Sequence, residues 1–151
     1  METENAPINV LIAENDAPFR QAIRVWLKDA DGVTVVGEAQ DKSEALELVR
    51  VQRPDVILLD VDLWHLDGQR QTKISELYPG SKVIVLSATD QDLLVLKALQ
   101  EGAVGYLIKE ECLPHEVVEA VCAVSRGEAV LTPRMLGGIL DELAQQGWGS
   151  A

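Results

Sequence analysis

The chain has 151 residues and a formal net charge of −12 at pH 7. This length suits one domain and is enough to bury a core without disulfides or metal ions. The negative charge repels phosphate backbones, so we expect no direct nucleic-acid binding by these residues. Cys112 and Cys122 lack the spacing of paired metal ligands and indicate two reduced thiols. The polar start and the lack of a long apolar run predict a cytoplasmic protein without a membrane span.

Short apolar runs alternate with helical patterns along the chain. The predicted strands are 8–13, 33–36, 56–60, 83–86 and 104–108. The predicted helices begin near Pro18, Asp41, Ile74, Asp90 and Pro114, and a sixth runs from Thr132 to about Gln146. This alternation predicts an α/β fold, with a doubly wound five-stranded parallel sheet, helices on both faces and an extra C-terminal helix. Asp16 and Asp90 are expected to cap the helices that follow them.

The third predicted strand organises the chain. Residues 56–59 are all apolar, which favours a central parallel strand buried on both faces, and Asp60 ends it. In open parallel sheets the ligand site lies at the carboxyl ends of the strands, so Asp60 is the first candidate for chemistry. The alternative interpretation is an aspartate that caps the next turn.

Polar side chains also end other predicted strands. We expect five of them to converge at one edge of the sheet: Glu14, Asn15, Asp60, Ser87 and Lys109. Two carboxylates, an amide, a hydroxyl and an ammonium group suit a divalent cation of the Mg²⁺ type together with a phosphoryl group. Neither His65 nor His115 ends a predicted strand, and no glycine-rich phosphate loop follows any strand. Phosphoryl transfer onto a carboxylate is the chemistry that this set favours.

Several motifs together resemble a two-component response-regulator receiver domain. They are LIAEN at 11–15, LLD at 58–60, DG at 67–68, VLSA at 85–88 and GAVGYLIK at 102–109. The likeness covers 8–127 and implies a flavodoxin-like sheet of order 2-1-3-4-5. The stretch from Gly102 to Glu128, with Leu131-Thr132-Pro133, is similar to the NarL/FixJ branch, whose receivers usually precede a LuxR-type helix-turn-helix domain.

The resemblance implies a role for each converging residue. Asp60 would accept a phosphoryl group from a sensor histidine kinase, and Ser87 and Lys109 would bind the new phosphoryl oxygens. Tyr106 would be the aromatic switch residue. Bound Mg²⁺ would be held by Glu14, Asn15, Asp60 and the backbone carbonyl of Asp62.

The sequence departs from the family pattern at three positions. Asn15 stands where the second acidic residue usually lies, so Mg²⁺ binding should be weak. Trp64 replaces the usual loop proline with a large apolar group whose exposure the sequence leaves open. Glu110 follows Lys109 in place of proline, although the NarL/FixJ branch often lacks that proline too. Asp62 adds a carboxylate near the mouth of the site.

The resemblance also implies an organisation and a set of partners. We expect a disordered N-terminus at 1–7, a receiver domain at 8–127, a C-terminal or linker helix at 128–146 and a tail or the start of a linker at 147–151. The helix 90–101, the strand 104–108 and the helix 114–126 would form a homodimer face, with some leucine of that helix left exposed. The implied output is transcription regulation, with DNA contacted only through an output domain that these residues do not contain.

Two other functions compete with a phosphorylatable receiver. One is a degenerate receiver that keeps the fold and acts as a dimerisation or partner-binding module without phosphate; Asn15 and Trp64 favour it. The other is a Mg²⁺-dependent phosphohydrolase of haloacid-dehalogenase type, with Asp62 as general acid. The length leaves that enzyme no room for a cap domain, so the sequence predicts a phosphoacceptor and not an enzyme in the usual sense.

Overall fold

A five-stranded parallel sheet forms the centre of the molecule in a computed structural model, which describes residues 6–65 and 73–147. The strands are β1 (Ile8–Ala13), β2 (Val33–Ala39), β3 (Val56–Asp60), β4 (Lys82–Ser87) and β5 (Gly105–Ile108). Their order is β2-β1-β3-β4-β5, which confirms the doubly wound sheet expected from the sequence. Asp67 and Gly68, and most of the predicted N- and C-terminal tails, lie outside the described residues.

Helices connect the strands and cover the sheet. They are α1 (Ala17–Lys28), α2 (Lys42–Gln52), α3 (Val61–His65), α4 (Ile74–Leu77), α5 (Asp92–Gln100), α6 (Pro114–Ser125) and α7 (Pro133–Gln145). Among the described residues, no helix combines the length and the apolar character needed to cross a membrane.

Alternating side chains of the central strands build two separate cores. In β3, Ile57 and Leu59 point to the face covered by α2, α5 and α7, whereas Val56 and Leu58 point to the face covered by α1 and α6. All four side chains are fully buried. Because β3 is buried on both faces, its sequence is a continuous apolar run. Asp60, at the end of that run, lies at the carboxyl edge of the sheet.

The local chemistry differs from the sequence predictions in several places. Asp90 does not cap a helix, because α5 begins at Asp92 and the Asp90 carboxylate binds Arg134 of α7. Asp16 occupies the N-cap position of α1, but its side chain does not cap the helix by a hydrogen bond; its carbonyl oxygen accepts from the Arg20 N–H. Asp41, near which the second helix was predicted to begin, is the N-cap of α2, and its carboxylate accepts from the Glu44 N–H.

The residues after Asp60 form a helical turn that the sequence did not predict. Val61 follows the strand directly into α3, and Trp64 on that turn is only 2% exposed. Trp64 packs with Val61 in the core on the α5 side of the sheet. The indole is therefore a buried packing group and not an exposed one, because the short helix turns it inward.

The C-terminal helix packs against the body of the domain. Met135 and Ile139 of α7 are buried in the core on the α5 side. Thr132 caps the helix by accepting the Met135 N–H, and Pro133 sits in the first turn where its missing N–H costs nothing. The segment before the helix lies on the edge strand, where Val130 pairs in parallel with Gly105.

Candidate phosphoacceptor site

Two acidic residues and a lysine meet at the carboxyl edge of the sheet. The Lys109 Nζ atom lies 2.8 Å from Glu14 Oε2 and 3.3 Å from Asp60 Oδ1. Glu14 follows β1, Asp60 ends β3 and Lys109 follows β5, so three separate strands deliver the three charges. The ammonium group bridges the two carboxylates and offsets the repulsion between them.

Glu14 is the most enclosed charged group of the site. Its side chain is fully buried, and this burial raises the pKa of Glu14 from 4.5 to about 7. The hydrogen bonds from Lys109 and from the Asp16 N–H act in the opposite direction and lower the pKa less than burial raises it. Glu14 Oε1 is buried and accepts no hydrogen bond from the residues that the structure describes, so this carboxylate oxygen is available as a ligand.

Lys109 is held from several directions. Burial disfavours its charged form, but the hydrogen bond to Glu14 and the charges of Glu14 and Asp60 outweigh that effect and raise its pKa. Its ammonium group also lies 5.6 Å from the centre of the Phe19 ring. Lys109 is therefore a fixed positive charge beside the Asp60 carboxylate.

The Asp60 carboxylate accepts hydrogen bonds from the backbone. The Asn15 N–H donates to Oδ2 at 3.3 Å and the Asp62 N–H donates to Oδ1 at 3.0 Å. Asp60 is 2% exposed, whereas the side chains of Asn15 and Asp62 are exposed. These contacts fix the direction of the carboxylate while its neighbours remain open to solvent.

Ser87 ends β4 beside this group, and its hydroxyl faces the following loop. Ser87 Oγ accepts from the Thr89 N–H at 3.2 Å, and the Thr89 carbonyl oxygen accepts from the Tyr106 hydroxyl at 2.8 Å. Tyr106 is fully buried, and burial raises the pKa of its phenol. Ser87 is tied to the lysine through the backbone, because the Lys109 N–H donates to the Ser87 carbonyl oxygen at 2.8 Å.

Comparison with known proteins gives this arrangement a family. The response regulator receiver domain matches residues 10–121 of the chain. The chain belongs to the response regulator receiver family. This match covers β1 from residue 10 onward, the other four strands in full, and the residues at the carboxyl ends of all five.

Relatives of this receiver are bacterial transcription regulators. The chain is 34% identical over 140 residues to NarL of Mycobacterium tuberculosis (strain H37Rv), described as a probable transcriptional regulatory protein. The match covers 92% of this chain and 64% of NarL. The chain is also 33% identical over 136 residues to the uncharacterised transcriptional regulatory protein YxjL of Bacillus subtilis, and the match covers 89% of this chain and 62% of YxjL. The receiver thus spans less than two thirds of the length of these relatives.

Solved structures agree with this assignment. The receiver domain of Mycobacterium tuberculosis NarL is 34% identical, with a TM-score of 0.73, and the match covers 82% of this chain and 99% of that one. A LuxR-family response regulator from Aurantimonas sp. SI85-9A1 is 26% identical, with a TM-score of 0.79 and coverages of 92% and 99%. The prediction of a NarL/LuxR-type receiver is therefore confirmed. Receivers are signalling domains, so the phosphohydrolase alternative is set aside.

The donor set fits a Mg²⁺ ion. Receiver domains generally bind Mg²⁺ at the phosphorylation site. Here the unpaired Glu14 Oε1 and the Asp60 carboxylate supply hard anionic oxygens, and Mg²⁺ commonly uses only one or two carboxylates. In the part of the chain that the structure describes, no group of three or more His, Cys, Asp or Glu side chains is placed to hold a metal. The fit is thus to a site of low charge.

The charged groups of the site were predicted from the sequence, but two residues that contact them were not. Phe19 packs beside the Lys109 ammonium, and the Arg20 guanidinium donates to the Glu14 carbonyl oxygen at 2.6 Å. Both residues lie in the first turns of α1, directly after the acidic cluster, and that position could have indicated them. His115 is exposed, and the His65 side chain lies outside the part of the molecule that the structure describes.

Proposed function

We propose that this receiver accepts a phosphoryl group on Asp60. The observation that supports it is the buried Asp60 carboxylate, oriented by two backbone N–H groups and 3.3 Å from the Lys109 ammonium. An Asp60 oxygen would attack phosphorus while the phosphorus–nitrogen bond to a donor histidine breaks and the imidazole leaves. Lys109 and Ser87 would bind the phosphoryl oxygens, and Tyr106 would respond to the Ser87 loop.

The proposal includes a weak magnesium site. Glu14, Asn15, Asp60 and the Asp62 backbone carbonyl would hold the ion, which would offset negative charge on the phosphoryl oxygens. Asn15 would contribute a neutral oxygen, so the site has one negative charge fewer than the family pattern.

The family suggests the setting of this reaction. We place the receiver in the cytoplasm, with a sensor histidine kinase as the phosphoryl donor and a transcription regulator as the output. At a net charge of −12 these residues should not bind DNA themselves, so any DNA contact would come through an output domain.

Intact mass spectrometry after incubation with acetyl phosphate and Mg²⁺ tests the proposal. We expect the mass of one phosphoryl group to be added to the wild type and to Asp62→Asn, and none to be added to Asp60→Asn. Asp62 is the matched control because its carboxylate is exposed and two residues away. Modification of Asp60→Asn to the wild-type extent would place the acceptor elsewhere.

A degenerate receiver is the second candidate. The observation in its favour is the neutral, exposed Asn15 at the position of a usual metal ligand. Such a receiver would bind a partner or dimerise without phosphate. An unmodified wild type under the conditions above would make it the better account.

Self-association should use the side of the molecule that carries α5. Six large apolar side chains are exposed among the described residues, and three of them lie on α5 or on α7, which packs against α5: Leu93, Leu136 and Leu140. Part of the predicted dimer face is covered by α7, but Leu93 stays 62% exposed, as expected for a leucine of this helix. We propose that a second copy covers Leu93.

Replacing Leu93 with Glu should weaken dimerisation about tenfold or more, because the change puts a charge into an apolar contact. Analytical ultracentrifugation over a concentration series measures it. Val51→Glu is the control, since Val51 is 61% exposed on α2, which packs on β1 and β2. Equal sedimentation of Leu93→Glu and wild type would remove this surface from consideration.

A further inference from the structure

The peptide group between Glu14 and Asn15 connects α1 to the phosphoacceptor. The carbonyl oxygen of Glu14 and the N–H of Asn15 belong to this one planar group and point in opposite directions. The Asn15 N–H donates to Asp60 Oδ2 at 3.3 Å. The Glu14 carbonyl oxygen accepts from Arg20 Nη1 at 2.6 Å. Arg20 and Asp60 therefore hold the two ends of the Glu14–Asn15 peptide.

The chain on both sides of this peptide is held by hydrogen bonds of its own. The Glu14 N–H donates to the Ala39 carbonyl oxygen at 2.9 Å, and the Asp16 N–H donates to Glu14 Oε2 at 3.0 Å. The Asp16 carbonyl oxygen accepts from the Arg20 backbone N–H at 2.9 Å. Rotation of the peptide plane is the remaining motion that would turn the Asn15 N–H away from the carboxylate, and the Arg20 side chain opposes it.

The Arg20 side chain is itself held in place. It is 15% exposed, and its Nε atom lies 3.5 Å from Glu38 Oε1 on β2. A guanidinium group carries several N–H donors in one rigid plane, so it can bind the Glu38 carboxylate and the Glu14 carbonyl oxygen at the same time. It also keeps its charge at every pH at which the protein is folded, because arginine does not lose its proton in proteins. The contact to the peptide is therefore permanent and cationic.

We propose that Arg20 is a positioning residue of the phosphoacceptor site, which holds the Glu14–Asn15 peptide so that its N–H is directed at Asp60. This inference rests on the proposed function of that site. A hydrogen bond from a charged donor is about twice as strong as one between neutral groups, and it polarises the N–H at the other end of the same peptide. The Asp60 carboxylate is thereby kept in the orientation in which its oxygen attacks phosphorus.

Arg24 provides a matched control on the same helix. It lies one turn further along α1, and its Nε atom lies 3.0 Å from Glu38 Oε2. This ion pair uses the same carboxylate as Arg20 and involves no atom of the Glu14–Asn15 peptide. Arg20→Ala and Arg24→Ala thus make the same change in helix propensity, and each removes one ion pair with Glu38. They differ in the contact to the peptide.

The rate of Asp60 modification by acetyl phosphate, followed by intact mass in the full chain with Mg²⁺ present, tests the role. Arg20→Ala should lower the maximal rate about tenfold, because a misdirected carboxylate reaches the reactive geometry less often. The acetyl phosphate concentration that gives half of the maximal rate should change by about twofold at most, since Arg20 does not touch the donor. Arg24→Ala should change neither quantity. Arg20→Lys keeps a cationic donor without the planar fork and should lose about threefold.

Nuclear magnetic resonance of the unmodified chain in metal-free buffer observes the contact directly. In Arg20→Ala the Asn15 N–H should exchange with water about tenfold faster, and its proton resonance should move upfield as the peptide loses polarisation. The Glu44 N–H, which donates to Asp41 on α2, should exchange as in the wild type. A general loss of stability would speed the exchange of both amides, so this pair separates positioning from folding.

The outcomes separate this inference from the proposed function. A wild-type rate in Arg20→Ala, equal losses in Arg20→Ala and Arg24→Ala, or a slower Arg20→Ala with unchanged Asn15 exchange would overturn the positioning role while the proposed function stands. If the wild type is not modified, the proposed function fails and the positioning role fails with it. Should Arg20→Ala not fold, Arg20→Lys against Arg24→Lys gives the same comparison with the charge retained.

Discussion

Asn15→Asp should tighten Mg²⁺ binding about tenfold and speed the modification of Asp60 by acetyl phosphate. The Asn15 N–H already donates to the Asp60 carboxylate, so a carboxylate at position 15 would add its charge next to the proposed ion. Two unit charges about 4 Å apart interact by about 1 kcal/mol in water and about 4 kcal/mol at an effective dielectric constant near 20. The exposed position of Asn15 favours the lower part of this range. A Mg²⁺ titration followed by nuclear magnetic resonance measures the affinity.

Asp16→Asn is the control for this substitution. Asp16 is exposed and contributes its backbone N–H to Glu14, a contact that the change retains. It should alter neither affinity nor modification rate. If Asp16→Asn weakens binding while Asn15→Asp has no effect, Asp16 is the acidic ligand in place of residue 15.

The free energy of unfolding in metal-free buffer should fall as the pH rises through the range set by Glu14. Its pKa is about 7 in the folded protein against an ordinary value of 4.5, so between these two values the folded state binds a proton that the unfolded state has lost. The resulting stability is fully present below pH 4.5 and disappears as the pH passes about 7. A shift of this size corresponds to roughly 3 kcal/mol at most.

Urea unfolding of the wild type and Glu14→Gln at pH values from 5 to 8 isolates this effect. The difference in free energy of unfolding between the two proteins should change as the pH rises from 5 through about 7 and become constant near pH 8. Glu47→Gln is the matched control: Glu47 pairs with exposed Arg50, which lowers its pKa, so its difference should stay flat above pH 5. A flat difference for Glu14→Gln would show that its folded-state pKa is close to the ordinary value.

The sequence predicted the sheet and its charged edge because both depend on short-range signals. A strand buried on two faces must be apolar throughout, and Asp60 is then placed by the end of that run. The parallel topology brings Glu14 and Lys109 to the same edge, although 95 residues separate them in the chain. Such long-range contacts follow from topology, so the family resemblance and the strand pattern indicate the same set of residues.

The features that the sequence did not predict depend on tertiary contacts. Asp90 precedes a helix, as a capping residue would, and its partner Arg134 lies 44 residues away. The burial of Trp64 cannot be predicted from its neighbours in the sequence, because it depends on the short helix α3, which turns the side chain inward. The elevated pKa of Glu14 likewise depends on how completely α1 and the neighbouring strands exclude water from one carboxylate.

The pairing of Val130 with Gly105 has a consequence for the assembly of the sheet. A sheet edge with free N–H and C=O groups can add a strand from another molecule, and proteins protect such edges. Here one edge, β5, is covered by the chain's own residue 130, while β2 forms the other edge. Moving Val130 away would expose backbone donors and acceptors of β5, and a strand from another molecule could then pair with this edge.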